Sequence, residues 1–215
     1  MKGLAPHTAR IFDAITRLQC IKPYTLVGGT ALALQLGTRK SEDLDFMTWR
    51  TSKNEKREVD WPAIQKELET IGTIENREIL DLDHVTFIVE GVKTSFYASP
   101  NHTPVQNRIS FQNNLCIADL TSIGAMKMEV MLRRSKFRDY YDIYSLLEAG
   151  ISFTEMMRIA LKYSGHRLKS KNLIALLTNS DRFVPDAEFP ALEPVYDISP
   201  KEIEQRVMAA VKAEM

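Results

Sequence analysis

The sequence has little cysteine and no long hydrophobic run. Only two of its 215 residues are cysteine, Cys20 and Cys116, which is typical of a reduced cytosolic protein and argues against a disulfide scaffold or a cysteine zinc site. No run of about 18 apolar residues occurs, so we predict no membrane span. Residues 1–10 lack a basic region followed by a long apolar stretch, so we expect no secretory signal. These absences together predict a cytoplasmic protein.

The sequence also lacks a net charge, because 28 basic residues balance 28 acidic residues. Net charge therefore gives no indication of a nucleic-acid partner. Basic residues are nevertheless concentrated in two stretches, 127–138 and 158–171, which would suit a phosphate-rich partner. The alternative is that both stretches are solvated helix faces, and charge alone favours this alternative.

The distribution of apolar residues predicts an α+β protein whose two halves differ. Hydrophobic residues make up 44% of the chain, which is enough for a sizeable core. Alternating β-branched and aromatic residues predict strands at 24–27, 43–48, 73–80, 84–90 and 92–98, and one further short strand within 108–117. We expect Glu90 and Gly91 to form a hairpin turn.

Helical spacing dominates the second half of the chain. Apolar periodicity, capping residues and breakers predict helices at 8–18, 30–36, 60–68, 119–134, 136–149, 153–164, 172–177 and 200–213. The pattern changes near residue 118. We therefore predict an α+β domain over residues 1–118 and a helical domain over residues 119–215.

The segment with the clearest chemical indication is a diglycine followed by a pair of acidic residues. Gly28 and Gly29 lie between a predicted strand and a predicted helix, where they let the backbone approach an anion, and the Thr30 hydroxyl adds a donor. Asp43 and Asp45 are two residues apart on the next strand, so both carboxylates leave the same face. Two adjacent carboxylates repel each other unless a divalent cation neutralises them.

Each of these features has an ordinary structural explanation when it stands alone. A diglycine is usually a turn, and an Asp-x-Asp pair is usually part of a solvated strand face. Their order is more specific, since strand, diglycine, helix, basic residues and acidic strand follow one another within 24–46. A phosphate cradle followed by a metal-binding pair predicts transfer chemistry on a nucleoside triphosphate.

Three segments of the sequence resemble the AbiEii/AbiGii toxin family, whose members are nucleotidyltransferase-like proteins of the DNA polymerase β superfamily. Residues 26–32, LVGGTAL, and 39–46, RKSEDLDF, resemble the first motif of the family. Residues 138–143, RDYYDI, with Lys127 upstream, resemble a later motif. The resemblance covers roughly residues 8–150. It implies a nucleotidyltransferase fold, a mixed sheet with flanking helices, followed by a helical half that completes the active-site cleft.

The resemblance also implies roles for individual residues. The catalytic residues would be Asp43, Asp45, Lys127 and Asp142. The metal ligands for Mg²⁺, or Mn²⁺, would be Asp43 and Asp45. The nucleotide would be bound by Gly28, Gly29, Thr30, Arg39, Ser41 and Lys127. Arg138 and Asp142 are four residues apart on a predicted helix, so they can pair, and without the resemblance an ordinary surface salt bridge would be the favoured explanation. A lysine in an apolar helix usually extends to water, so only the motif makes Lys127 a functional candidate.

The sequence departs from the superfamily at one position. Related enzymes commonly carry a third carboxylate on a neighbouring strand, where it serves as a base for the attacking hydroxyl. Residues 92–97 here contain no acid, although Lys93 and Ser95 share one strand face and are expected to point into the cleft. Either Asp142 is the base, or activation by the metal is sufficient.

The resemblance implies a function as well as a fold. The expected reaction is transfer of a nucleoside monophosphate from a nucleoside triphosphate to an acceptor, with RNA, and in particular the 3′ end of tRNA, as the favoured acceptor. The setting would be a toxin–antitoxin or phage-defence system, with a cognate antitoxin protein as partner. The alternative is a non-catalytic module of the same fold that binds a nucleotide or a partner, which the missing third carboxylate favours.

Overall fold

One mixed sheet forms the centre of the computed structural model, which describes residues 2–52, 55, 58–165 and 167–214. Within these residues the sheet has seven strands: β1 Thr25–Val27, β2 Leu44–Trp49, β3 Ile74–Asp81, β4 His84–Val89, β5 Val92–Ser99, β6 Arg108–Gln112 and β7 Leu115–Ala118. Their spatial order is β3-β4-β5-β2-β1-β7-β6. The β2–β5 and β1–β7 pairs are parallel, and the other pairs are antiparallel.

Eight α-helices accompany the sheet in the described part of the chain. They are α1 Pro6–Arg17, α2 Gly28–Leu36, α3 Trp61–Leu68, α4 Leu120–Val130, α5 Phe137–Glu148, α6 Phe153–Tyr163, α7 Ser170–Leu177 and α8 Pro200–Glu214. Helix α4 packs against α2, α5 and α6, while α8 packs against α5 and α6. None of the helices described is long and apolar enough to cross a membrane.

The structure confirms most of the predicted elements and corrects two of them. Residues 108–117 form two strands rather than one, because Asn113, at φ 49°, begins a turn between β6 and β7; asparagine tolerates this left-handed conformation better than most residues. Helix α2 begins at Gly28, so the diglycine is the first turn of the helix and not a separate turn. The predicted hairpin turn is present, with Glu90 at φ 49° and Gly91 at φ 74°.

The two faces of the sheet differ in polarity, and this difference places the site. Residues paired across the strands point to the same face. Leu44, Phe46, Phe87 and Phe96 share one face and are buried, with the rings of Phe46 and Phe96 stacked at 5.1 Å between centroids. The opposite face carries the laterally paired row Glu78, Thr86, Ser95 and Asp45. A polar row of this kind, spanning four strands, indicates a ligand-binding face.

Candidate active site

A cleft of about 620 Å³ lies between the polar face of the sheet and helix α4. Asp45 and the first residues of α2 border the cleft on one side, and Lys127 and Arg134 border it on the other. Lys93 and Ser95 of β5 also line it, which confirms the prediction that both side chains point into the cleft. Four of the predicted site residues therefore border one space, namely Gly28, Gly29, Asp45 and Lys127, whereas Thr30, Arg39, Ser41, Asp43 and Asp142 do not line it.

The acidic pair is divided between strand β2 and the segment that precedes it. Asp45 lies in β2 opposite Val27 and Ser95 and is partly exposed, while Asp43 lies just before the strand and is exposed. Within the described residues, neither carboxylate takes part in a hydrogen bond or an ion pair. Burial and the neighbouring Asp43 charge raise the pKa of Asp45, and the opposing effect of Lys93 is smaller. A bound cation would relieve this unfavourable charge.

The start of helix α2 lies directly against Asp45. Gly28 has a φ of 69°, and a Cβ at this position would be 2.9 Å from Asp45 Oδ2. A Cβ on Gly29 would be 2.5 Å from a terminal nitrogen of Arg39. No side chain caps the helix at Val27, so its first amide groups remain available to an anion. The diglycine therefore brings an uncapped helix start into contact with both the acidic residue and a buried arginine.

Thr30 and Ser41 support this arrangement from below the cleft. Both are buried, and their hydroxyl oxygens are 2.8 Å apart. The Thr30 hydroxyl also donates to the carbonyl oxygen of Asp43. These contacts attach α2 to the segment that carries the acidic pair, so the structure gives both hydroxyls a supporting position instead of the phosphate-facing one that we expected.

Five charged residues form a continuous network behind the cleft. Arg39 donates to Asp142 through two nitrogens, at 2.7 and 2.8 Å. Lys127 Nζ is 2.7 Å from oxygens of both Asp142 and Asp139. Arg134 in turn donates to both oxygens of Asp139, at 2.8 and 2.9 Å. Three cations and two carboxylates leave one positive charge in excess, and Lys127 and Arg134 present it to the cleft.

The network holds its carboxylates in the ionised form. Burial alone would raise the pKa of Asp142, but the charges of Arg39 and Lys127 outweigh it and lower the value. Burial is likewise outweighed at Asp139, where Lys127 and Arg134 lower the pKa to about 2. A carboxylate kept ionised by bonded cations is a poor proton acceptor. Asp142 is therefore placed to orient Lys127 and Arg39 and not to receive a proton from a substrate.

The structure excludes the ordinary explanations for Arg138 and Lys127 in the helical half. Arg138 does not pair with Asp142; it binds Asp186 and Glu188 from the segment before α8. Asp142 is fully buried, so it faces the interior and meets Arg39 and Lys127 instead. Lys127 does not extend to water either, since only 6% of the residue is exposed. Its charge is compensated inside the protein by two aspartates.

Three residues of the site were not predicted from the sequence. Asp139 and Arg134 belong to the network; Asp139 lies in the later motif and Arg134 in the basic stretch 127–138, but neither position indicated that the two residues would pair. Glu78 of β3 lines the cleft as well. It is separated from Asp45 by three strand spacings through Thr86 and Ser95, or about 14 Å. Glu78 therefore cannot replace the missing third carboxylate as a ligand to the same cation.

The family comparison agrees with this geometry. Residues 10–209 match the model of the family described as nucleotidyl transferase AbiEii toxin, type IV TA system. An uncharacterised protein of Aquifex aeolicus strain VF5 is 25% identical over 219 aligned positions, which cover 99% of this chain and 98% of that protein.

Two solved structures show the same fold. JHP933 from Helicobacter pylori superposes with a TM-score of 0.57 at 19% identity, over 98% of this chain and 92% of its own. MenT4, a nucleotidyltransferase toxin from Mycobacterium tuberculosis H37Rv, superposes with a TM-score of 0.58 at 15% identity, over 95% of this chain and 85% of its own. These likenesses confirm the predicted nucleotidyltransferase fold. Because the family match spans nearly the whole chain, this protein belongs to the AbiEii family of nucleotidyltransferase toxins.

Proposed function

We propose that this protein transfers a nucleoside monophosphate from a triphosphate, bound with Mg²⁺ or Mn²⁺, to the 3′ end of an RNA such as tRNA. One observation carries the proposal. An uncapped helix start, the Asp45 carboxylate and an excess positive charge border the same cleft, and Asp43 lies two residues from Asp45 in the chain. Each of these features suits one component of a metal–triphosphate complex.

The acidic pair suits a divalent cation that is shared with phosphate. The described residues contain no group of three or more His, Cys, Asp or Glu side chains placed to hold a metal ion, so a cation here would complete its shell with phosphate oxygens and water. Gly28 leaves room beside Asp45 Oδ2 that a side chain would fill. When bound, the cation would neutralise phosphate charge and lower the pKa of the attacking hydroxyl.

The protein's own groups would bind and orient the triphosphate. The first amides of α2 would face the phosphates, and Lys127 and Arg134 add positive charge on the opposite side of the cleft. The acceptor hydroxyl oxygen would bond to the α-phosphorus, the bond between that phosphorus and the bridging oxygen would break, and pyrophosphate would leave. The hydroxyl proton would pass to solvent, because both oxygens of Asp142 are already hydrogen-bonded.

Several further expectations belong to the same proposal. The helical part, residues 119–215, would complete the cleft formed by residues 1–118, and the protein would act in the cytoplasm under control of a cognate antitoxin protein. The second candidate function is a binding module without turnover. It is favoured by the residues of β5 that face the cleft. These are Lys93 and Ser95, and no residue of β5 carries a carboxylate.

Transfer of label from each of the four nucleoside triphosphates, radiolabelled at the α-phosphate, to total RNA tests the proposal. We expect incorporation with Mg²⁺ by the unmodified protein, loss with Asp45→Asn, and retention with Asp81→Asn, an exposed acid at the end of β3 outside the cleft. Triphosphate binding without transfer would support the binding module. Absence of transfer to RNA with all four triphosphates would contradict the RNA acceptor.

A further inference from the structure

The nucleotide cleft continues into a second groove of about 650 Å³. The two spaces share Met47, Tyr97, Met126, Val130 and Arg133. Met47 follows Asp45 by two residues on the same face of β2, so the groove begins about 7 Å from Asp45. A molecule lying in the groove could therefore place one end at the position where the α-phosphate is expected.

The floor of the groove holds two arginines on one buried glutamate. Glu129 accepts hydrogen bonds from Arg133 at 3.1 and 2.6 Å and from Arg167 at 3.3 Å. The glutamate side chain is 4% exposed, whereas each arginine side chain is 60% exposed. Arg167 is also fixed by a hydrogen bond to the carbonyl oxygen of Ser164. Both guanidinium groups are thus oriented from below and keep free N–H groups toward solvent.

These arginines come from the two basic stretches identified in the sequence. Arg133 lies in residues 127–138 and Arg167 in residues 158–171, and the shared glutamate brings them together with one positive charge in excess. Tyr97 and Tyr163 line the same groove and are partly exposed. Tyrosine rings beside arginine forks provide base stacking and phosphate binding, the combination that single-stranded nucleic acid requires.

We propose that this groove binds the unpaired end of the acceptor RNA, with Arg133 and Arg167 on its phosphates and Glu129 as the positioning residue for both. The assignment rests on the proposed function, since it names the subsite for the second substrate of that reaction. The groove could instead hold the base of the bound triphosphate. The two arginines favour RNA, because a base carries no phosphate that they could bind. The tyrosines favour RNA over an acidic peptide, because stacking needs planar bases.

Binding of a short, fluorescently labelled, single-stranded RNA to the Asp45→Asn protein without nucleotide tests this subsite separately from catalysis. We expect Arg133→Ala and Arg167→Ala each to weaken binding by roughly tenfold, and each to reduce the slope of log affinity against log salt by about 0.7. Arg17→Ala is the matched control, since Arg17 forms an i,i+4 pair with Asp13 and its side chain is 64% exposed. It should change neither quantity.

Glu129→Gln tests whether Glu129 acts by orienting the two arginines or only through its negative charge. Removal of a negative charge would tighten RNA binding if the arginines acted only as unfixed charges. We expect weaker binding instead, because the amide cannot hold both guanidinium groups in place. A melting temperature measured alongside would identify a folding defect, in which case the two exposed arginine variants decide the question.

The outcomes distinguish failure of this inference from failure of the proposed function. Unchanged RNA affinity in both arginine variants, or a raised KM for the triphosphate with unchanged RNA affinity, overturns the subsite. Competition by an acidic peptide that equals competition by unlabelled RNA also overturns it. RNA binding that depends on both arginines, in a protein that transfers no nucleotide, supports the subsite and contradicts only the reaction.

Discussion

The Arg39 guanidinium donates to both carboxylate oxygens of Asp142, at 2.7 and 2.8 Å, across 103 residues of sequence. Arg39 follows α2, and Asp142 lies on α5. A terminal nitrogen of Arg39 lies where a side chain on Gly29 would begin. This ion pair therefore connects the helical part of the chain to the first turn of α2, the proposed phosphate-binding segment. Asp142 also bonds Lys127, so one carboxylate positions both a cation that lines the cleft and a cation behind the first turn of α2.

Replacement of this carboxylate is predicted to affect folding as well as activity. Asp142→Asn leaves Arg39 and Lys127 buried with insufficient negative charge, so we expect the free energy of unfolding in urea to fall by about 3–5 kcal/mol. The control is Asp13→Asn, which removes an exposed i,i+4 pair with Arg17 and should cost less than about 1 kcal/mol. An Asp142→Asn protein of unchanged stability that has lost all transfer activity would instead assign Asp142 a direct chemical role.

The partner of Asp142 shows which features of the structure the sequence could predict, since local spacing suggested Arg138 and the structure has Arg39. Periodicity identified the helices and most of the strands, because each depends on residues close together in the chain. The same local argument allowed Arg138 to pair with Asp142, and the structure excludes this pair, because Asp142 faces the interior and its partners come from distant segments. Burial and long-range pairing depend on how elements pack, which spacing along a single element does not specify.

The site could be predicted only where its residues belong to the two recognised motifs, the second of which supplies Lys127. The diglycine and the acidic pair are close in sequence, and the structure brings Gly28 and Asp45 into contact. Glu78 reaches the same cleft through lateral strand pairing, for which the sequence contains no sign. The register of β3 and β4 decides which of their residues share a face with Asp45, and a one-residue slip would reverse it.

The charged network should make stability depend on pH in the acid range. The pKa of Asp139 is about 2, below its ordinary 3.8, because Lys127 and Arg134 outweigh the effect of burial. The ionised group therefore stabilises the folded protein above the ordinary pKa, and this contribution, about 2 kcal/mol, is lost as pH falls toward the lower value. Unfolding in urea at several pH values between about 5 and 2 measures it.

Asp139→Asn provides the comparison for this pH dependence. The variant should have a lower free energy of unfolding than the unmodified protein at neutral pH. As pH falls from about 5 to 2, this free energy should decrease less steeply in the variant. Parallel curves for the two proteins would show that Asp139 is not the group responsible, and that its contacts with Lys127 and Arg134 do not persist in solution.

Asp45 is expected to show the opposite sign. Burial and Asp43 raise the pKa of Asp45, so this carboxyl binds a proton more tightly in the folded protein than in the unfolded chain. The folded protein therefore loses stability as pH rises from the ordinary carboxyl pKa through the raised pKa of Asp45. Asp45→Asn should therefore increase the free energy of unfolding at neutral pH in the absence of metal, while it abolishes transfer. The gain should disappear below the ordinary carboxyl pKa. A less stable variant at neutral pH would mean that Asp45 has a favourable partner in the protein.

Gly28 and Gly91 form a matched pair that isolates the contact at the start of α2. Their φ values are 69° and 74°, but a Cβ on Gly28 would meet Asp45 Oδ2 at 2.9 Å, whereas one on Gly91 would meet nothing within 4 Å. Alanine at either position should cost about 1–2 kcal/mol of unfolding free energy, because both require a left-handed backbone. Chemical denaturation of the two variants measures this shared cost.

Only the substitution at Gly28 should also reduce transfer, because the added methyl group displaces the Asp45 carboxylate from its position beside the helix start. We expect Gly28→Ala to raise the Mg²⁺ concentration needed for half-maximal activity and Gly91→Ala to leave it unchanged, when both are assayed at a temperature where they remain folded. Equal metal requirements in the two variants would show that close contact between the diglycine and Asp45 is not needed to bind the cation. The diglycine at the start of α2 and the acidic pair would then act independently, and Gly28 would be needed only for the backbone conformation.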